Sequence, residues 1–399
     1  MNPRLAGLQA YPFERLAALK RGLTPPASFH AIDLSIGEPK HAAAHQVTES
    51  IIEHLHGISQ YPKTAGLPAL REAITRWLAQ RFQLPADFIR ADTHVLPVNG
   101  TREALFSIAQ ALLDPCASPR EQVLMPNPFY QIYEGAAILA GGEPVYLNAG
   151  TDGQPDYRAV DEATWQRTRL LYICSPNNPT GAVLAQDTLA YLIDKAQQHD
   201  FVIASDECYS EIYLDEANPP VGILQAAASM GHHSLKSCLA FHSLSKRSNM
   251  PGARSGFVAG DPQILKDYLL YRTYLGNATP PFIQSGAIAA WQDEAHVCAN
   301  RAAYREKFTA VLDILGGSLD VSAPEAGFYL WPKVGDGEAF ARDLFATKNV
   351  TVLPGAYLSR QSQGQNPGKD RVRIALVAPL EECVEAARRI RDFVDSNKG

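Results

Sequence analysis

The chain has 399 residues, 46 % apolar and 20 % charged, with a formal net charge of −6. That composition supports buried cores in two or three domains and excludes an unfolded chain. Lys and Arg are scattered, which with the negative balance argues against nucleic acid as a partner, and no apolar run reaches the roughly 18 residues of a membrane span. Met1 to Gly22 is interrupted by Pro3, Pro12 and Glu14 and reads as lacking a secretory signal. Six dispersed cysteines (Cys116, Cys174, Cys208, Cys238, Cys298, Cys383), with no CxxC pair, read as reduced thiols of a cytoplasmic protein.

Residues 1 to about 40 have no sheet partner of their own and are expected to pack against the smaller domain that closes the chain or a second subunit. Strand-like runs then follow at His94–Val98, Gln122–Met125, Glu143–Leu147, Leu170–Cys174, Phe201–Ser205, Cys238–His242 and Ser255–Ala259. Most are continuously apolar, as strands buried on both faces are. Helical patterns lie between them at Arg102–Leu113, Tyr130–Ala140, Ala185–His199 and Pro262–Leu275. The alternation predicts an α/β fold with an open, mostly parallel sheet covered by helices. After about residue 280 the rhythm changes. A helical pattern spans Ile283–Leu315, then come a strand Gly327–Trp331, a helix Glu338–Lys348, strands Val350–Leu353 and Val372–Leu376, and a helix Leu380–Ser396. This reads as a smaller α+β domain. The expected division is a large domain over 41–285, with 1–40 and 286–399 forming an N-terminal arm and the small domain.

Ligands of open α/β sheets sit beyond the carboxyl ends of the strands. Chemistry-bearing residues follow those ends here. After Val98 come Asn99-Gly100-Thr101-Arg102, at a helix start. After Cys174 come Ser175-Pro176-Asn177-Asn178-Pro179-Thr180-Gly181, after Ser205 come Asp206-Glu207-Cys208-Tyr209, and after His242 come Ser243-Leu244-Ser245-Lys246, with Arg254 beyond. A glycine before a helix N-terminus, two hydroxyls and an arginine suit a phosphate. A lone carboxylate suits a cationic ring nitrogen, and a lysine with a lowered pKa can condense with a carbonyl. The three together describe pyridoxal 5′-phosphate. Taken singly, each motif has a structural reading: Asn-Pro-Thr-Gly as a turn, Asp206 as a cap, Tyr130 as core. Cys208 is expected to be a packed thiol, His242 a structural histidine, and His232-His233 a solvated loop without a third metal ligand.

On these residues, and from Ser35-Ile36-Gly37-Glu38-Pro39 to Arg373-Ile374-Ala375, the chain resembles the fold-type-I, class I/II aminotransferases that depend on pyridoxal phosphate. The resemblance implies a large domain with a mostly parallel seven-stranded sheet, a smaller α+β domain and a homodimer. It implies that Lys246 is the cofactor-binding lysine and proton carrier, and that Asp206 pairs with the ring nitrogen. Tyr209 and Asn178 match groups on the ring's phenolic oxygen, and Tyr130 matches the ring that stacks on it. Gly100, Thr101, Arg102, Ser243, Ser245 and Arg254 match the phosphate cradle, and Tyr61 a tyrosine reaching the phosphate of the neighbouring subunit. Arg373 matches the arginine that clamps the substrate α-carboxylate, with Asn178 and Gly37 beside it.

The stretch from Phe241 to Phe257 and the region from Asp206 to Pro220 are most similar to bacterial N-succinyldiaminopimelate transaminases of lysine biosynthesis. That implies glutamate as amino donor and a second cation for a distal carboxylate. Arg102 is the candidate, where related aspartate aminotransferases place a lysine; Lys63 and Arg247 are weaker ones. Aspartate, aromatic or branched-chain aminotransferases, and a C–S lyase on the same scaffold, remain alternatives.

Overall fold

The structure is a computed structural model that describes residues 1–397. Seven strands form its main sheet: β1 (Val95–Val98), β2 (Gln122–Asn127), β3 (Glu143–Asn148), β4 (Thr168–Cys174), β5 (Val202–Asp206), β6 (Cys238–Ser243) and β7 (Gly256–Gly260). Their order across the sheet is β1-β7-β6-β5-β4-β2-β3. Only β7 runs against its neighbours, β1 and β6; the other pairs are parallel. The continuous apolar runs have the expected cause, since β1, β2, β5, β6 and β7 are buried at every residue and only the edge strand β3 is half-buried.

Alternate residues of each strand feed two cores. Leu171, Ile173 and Ile203 join Ile74, Trp77, Trp165 and Trp291 on one face. Leu170, Tyr172 and Ala204 join Leu105, Ile108 and Tyr133 on the other. A third core gathers Ile32, Leu34, Phe308, Leu330, Leu344, Val350, Val372, Ile374 and Ile390. It is built on a small antiparallel sheet in which Val372–Ala375 lies between Leu353–Pro354 and Tyr329–Leu330.

Three expectations need correction. Residues 1–40 do own a strand: Ile32–Asp33 pairs in parallel with Val350–Thr351 and seats Ile32 in the third core. The run Val350–Leu353 is two strands, because its first half pairs with Ile32–Asp33 and its second with Val372–Arg373. The pattern Ile283–Leu315 is two helices, Pro281–Gln292 and Ala295–Leu315. At the break Asp293 ends the first helix in an extended conformation, and its carboxylate accepts from the main-chain N–H groups of Ala295 (3.3 Å) and His296 (3.2 Å) at the start of the second. The expected boundary after residue 285 falls inside the first of these helices, whose Ala287, Ala290 and Trp291 pack in a core of the main sheet. As a proposal, the division between the units therefore moves to Asp293–Glu294.

Ile32 is 1 % exposed, so Ile32→Ala is expected to cost about 2–5 kcal/mol of unfolding free energy in denaturant titration, a loss that a loosely attached arm would not show.

Candidate active site

The carboxyl ends of β1, β4, β5 and β6 open onto a cavity of about 560 Å³. Strand topology alone brings the predicted Thr101, Asn178, Asp206, Tyr209, Ser243, Ser245 and Lys246 to its wall, and the loop after β2 adds Tyr130. Gly37, Arg102, Arg254 and Arg373 also line it.

Gly100 sits at φ 83° just before the helix Thr101–Leu112, and a Cβ there would run into the Arg254 guanidinium. Glycine thus lets the free N–H groups of the helix start approach Arg254. Arg254 is exposed, anchored through Nη1 to the Pro251 carbonyl at 3.0 Å, and Ser243 Oγ accepts from the Ser245 N–H at 3.1 Å. A helix start, two hydroxyls and an arginine that has no carboxylate partner among the described residues make a fitting cradle for a phosphate dianion.

Asp206 ends β5 and is 3 % exposed. Its Oδ2 accepts from the Tyr133 hydroxyl at 2.6 Å and its Oδ1 from the Cys208 N–H at 3.2 Å. Burial pushes its carboxyl above the usual range, against the bonds from Cys208 and Tyr133. A buried carboxyl with neutral donors and no cation fits a protonated ring nitrogen, whose charge would compensate its lost hydration.

Lys246 lies in the short helix Leu244–Arg247, and its Nζ donates to the Gly37 carbonyl. Burial lowers its pKa to about 8; Arg373 and Arg102 push the same way, against Cys208 and Glu38. Arg373, 4 % exposed, donates through Nη1 to Asn178 Oδ1 at 3.0 Å and through Nη2 to the Ser35 carbonyl at 2.7 Å. Its guanidinium lies 4.4 Å from the centre of the Tyr329 ring, and its buried Nε has no partner. Tyr329 and Tyr209 share a hydroxyl–hydroxyl bond of 2.9 Å. A side chain at Gly37 would strike the Tyr329 hydroxyl, which is the local reason for glycine there.

Arg102 donates to the Tyr130 hydroxyl (Nε, 2.6 Å) and the Tyr11 hydroxyl (Nη2, 3.1 Å). Tyr61 is fully exposed and does not line this cavity. Arg247 is corrected as a distal-carboxylate candidate: it is 2 % exposed, donates to the Ala290 carbonyl at 2.7 Å and pairs with Glu294, so its charge is satisfied inside the core. Lys63 is exposed and outside the lining. His242 is packed among Trp77, Phe82 and Phe257, 3.1 Å from Glu207. Cys208 does line the cavity, with Sγ 2.9 Å from Thr101 Oγ1, but burial pushes its thiol well up and keeps it protonated.

The sequence alone assigned no role to Tyr11 or Tyr133. Tyr133 stands three residues after Tyr130 in Pro126-Asn127-Pro128-Phe129-Tyr130-Gln131-Ile132-Tyr133, which was the available signal; Tyr11 had none, because only the fold carries the N-terminal segment to Arg102.

The free amine is the nucleophilic form of lysine, and an ordinary lysine reaches it near pH 10.5. Cofactor-free protein is therefore expected to react with an aldehyde at a rate that rises through a midpoint of about pH 8 and then levels, with roughly 200-fold more free amine at pH 7.5 than an unshifted lysine holds. The rate of imine absorbance growth against pH measures this; a midpoint near 10.5, or persistence in Lys246→Arg, would contradict it.

Comparison with known proteins gives a consistent answer. The family described as aminotransferase class I and II matches residues 30–390. An LL-diaminopimelate aminotransferase of Desulforudis audaxviator is 32 % identical over 97 % of this chain and 96 % of its own. Among solved structures, an aminotransferase of Neisseria meningitidis superposes with a TM-score of 0.94 at 48 % identity, covering 99 % of this chain and 100 % of that one. A structure from Thermus thermophilus, reported as a "probable N-succinyldiaminopimelate aminotransferase", superposes at 0.85 with 26 % identity, over 96 % of this chain and 99 % of that one. With a phosphate cradle, a buried carboxylate and a lysine of lowered pKa converging on one cavity, and with this family match across nearly the whole chain, the protein belongs to the class I and II aminotransferases, which depend on pyridoxal 5′-phosphate.

Proposed function

We propose that the chain transfers the α-amino group of glutamate to a long 2-oxo acid that carries a distal carboxylate, with N-succinyl-2-amino-6-oxopimelate of lysine biosynthesis as the acceptor. The observation that carries this reading is a pair of cavity-lining guanidinium groups, Arg102 and Arg373. Among the described residues no carboxylate lies within 4.0 Å of either. With Arg254 assigned to the phosphate, the other two unpaired arginines of the cavity suit a substrate with two carboxylates, and arginine offers each a bidentate fork that lysine lacks.

Bound pyridoxal 5′-phosphate supplies an electron-accepting ring that makes the substrate Cα–H acidic. The residues assigned to hold it are Gly100, Thr101, Ser243, Ser245 and Arg254 at its phosphate, Asp206 at its ring nitrogen, Tyr209 and Asn178 at its phenolic oxygen, and Tyr130 against its ring. Asp206, fixed by Tyr133, keeps a proton on the ring nitrogen. Arg373, fixed by Asn178 and Ser35, takes the α-carboxylate beside Gly37 and so aims Cα at Lys246. Lys246, with a pKa of about 8, is free amine often enough near neutral pH to take the proton from Cα and to serve as its carrier. Arg102 then meets the distal carboxylate, with the Tyr11 and Tyr130 hydroxyls beside it. Tyr61, fully exposed, is read as the group offered to the phosphate of a second copy in a homodimer.

A second reading has its own support. Curated relatives 30–32 % identical to this chain are named LL-diaminopimelate aminotransferases, which points to the unsuccinylated diamine. The test is a panel in which purified enzyme aminates N-succinyl-2-amino-6-oxopimelate, tetrahydrodipicolinate, oxaloacetate and aromatic 2-oxo acids from glutamate. Preference for the first supports the proposal, preference for the second transfers it to the relatives' activity, and pyruvate and ammonia from cystathionine would mark a lyase. In the same panel Arg102→Leu is expected to lower kcat/KM for glutamate by about 10- to 100-fold while leaving an apolar amino acid within about 3-fold, the size of a lost charge-assisted hydrogen bond. Equal losses for both would remove Arg102 from the distal site.

A further inference from the structure

The helix Ala295–Leu315 presents Asn300, Tyr304 and Lys307 at successive spacings of four and three residues, hence on one face. Lys307 is 3 % exposed, and among the described residues no carboxylate lies within 4.0 Å of its ammonium. A buried, unpaired lysine is costly and calls for a local reason. Its Nζ donates to His41 Nε2 at 2.7 Å and to the Val377 carbonyl at 3.4 Å. An ammonium only donates, so Nε2 must accept and the imidazole hydrogen sits on Nδ1. From there it points at Asn300 Oδ1, 2.7 Å away, while the imidazole packs on the Tyr304 ring with centroids 4.8 Å apart. Burial, with Lys307 beside it, lowers the His41 pKa and favours this neutral form.

Asn300 passes the contact on. Its Nδ2 donates to the main-chain carbonyl of Lys246 at 3.4 Å. Asn249, three residues after Lys246, reinforces the tie by donating to Asn300 Oδ1 (3.2 Å) and to the Ala42 carbonyl (3.4 Å). His41 itself stands four residues after Gly37, whose carbonyl accepts from Lys246 Nζ. The path therefore closes: Lys246 side chain to Gly37, along the chain to His41, through Asn300, and back to the Lys246 main chain.

We infer that His41, oriented by Lys307, is a positioning residue that locks the segment 37–41 to Lys246 through Asn300, so that the free lysine and the Gly37 carbonyl keep one fixed geometry. This rests on the proposed reading in which Gly37 and Lys246 flank the substrate. When Lys246 is free to act as a base, Gly37 gives its Nζ a fixed acceptor, and His41 prevents that acceptor from drifting.

Two measurements on the holoenzyme test it. The first is amide hydrogen exchange over 36–42, which needs no substrate. His41→Ala and Asn300→Ala are each expected to speed exchange there about 10-fold, and the double variant no more than about 2-fold beyond the faster single, because both cut the same path. The second is the half-reaction with α-deuterated against ordinary glutamate. His41→Ala is expected to lower its rate about 10-fold and enlarge the deuterium effect, while KM for glutamate stays within about 3-fold; His41→Asn, whose amide can replace the Nδ1–H donor, is expected to recover most of the rate. If His41→Ala fails to fold, Asn300→Asp, which keeps the acceptor for His41 and loses the donor to Lys246, must show the larger deuterium effect alone. Unchanged exchange, additive singles or an unchanged deuterium effect would overturn the inference. Arg373→Lys reports separately on the site reading: if it leaves amino-acid binding intact, that reading fails while the exchange cycle still decides the His41 path.

Discussion

Three charged or chargeable groups, buried Asp206 and Arg373 and half-buried Lys246, stand around one cavity, and no two of them form an ion pair. That is the constraint on which the rest of the site depends. Each keeps its place through neutral partners: the Gly37 carbonyl for Lys246, the Tyr133 hydroxyl for Asp206, the Asn178 side chain and Ser35 carbonyl for Arg373. Neutral partners orient a charge without cancelling it, so the compensating charge is left for the ligand to bring. Direct pairing of Lys246 with Asp206 would have raised the lysine pKa and removed the base.

The fold supplies this separation through two kinds of element. Parallel strands deliver Asp206, Lys246 and the phosphate cradle from the large sheet, because successive crossovers return each strand end to the same edge. Arg373 comes from the small antiparallel sheet, and Gly37 from the segment that follows the strand Ile32–Asp33. The groups proposed to face the substrate and those proposed to face the cofactor thus come from different sheets and meet at the cavity. Beside the apolar packing of Tyr209 on Phe328 and Tyr329, two hydrogen bonds join them at the cavity, Arg373 with Asn178 and Lys246 with Gly37. Such contacts keep direction and can be exchanged for contacts to a ligand.

The sheet, and the gathering of Thr101, Asp206, Ser243 and Lys246 at one cavity, were legible because both signals are local. Buried parallel strands are continuously apolar, and the residues after them are set by what a phosphate and a ring nitrogen require. The elements read least well depended on remote pairing. Val350–Leu353 reads as one strand by composition, but its halves pair with Ile32–Asp33 and with Val372–Arg373, more than 300 residues and about 20 residues away in the chain. Tyr11 was illegible as a site residue for a related reason: a tyrosine in an N-terminal segment carries no mark of which guanidinium it will meet. Arg247 misled in the opposite sense, since its place beside Lys246 suggests the site while its helix turns it into the core toward Ala290 and Glu294.

The sequence by itself determined the α/β class, the edge of the sheet that carries chemistry, and the residue types that define the cofactor, because periodicity and side-chain chemistry act within a few residues. Tertiary structure alone decided which arginines remain unpaired, how far the Lys246 pKa falls, and how His41 and Lys307 connect to the site. These are properties of burial and of partners drawn from distant parts of the chain, and electrostatic free energy depends on distance in space and on lost hydration, neither of which is written in residue order.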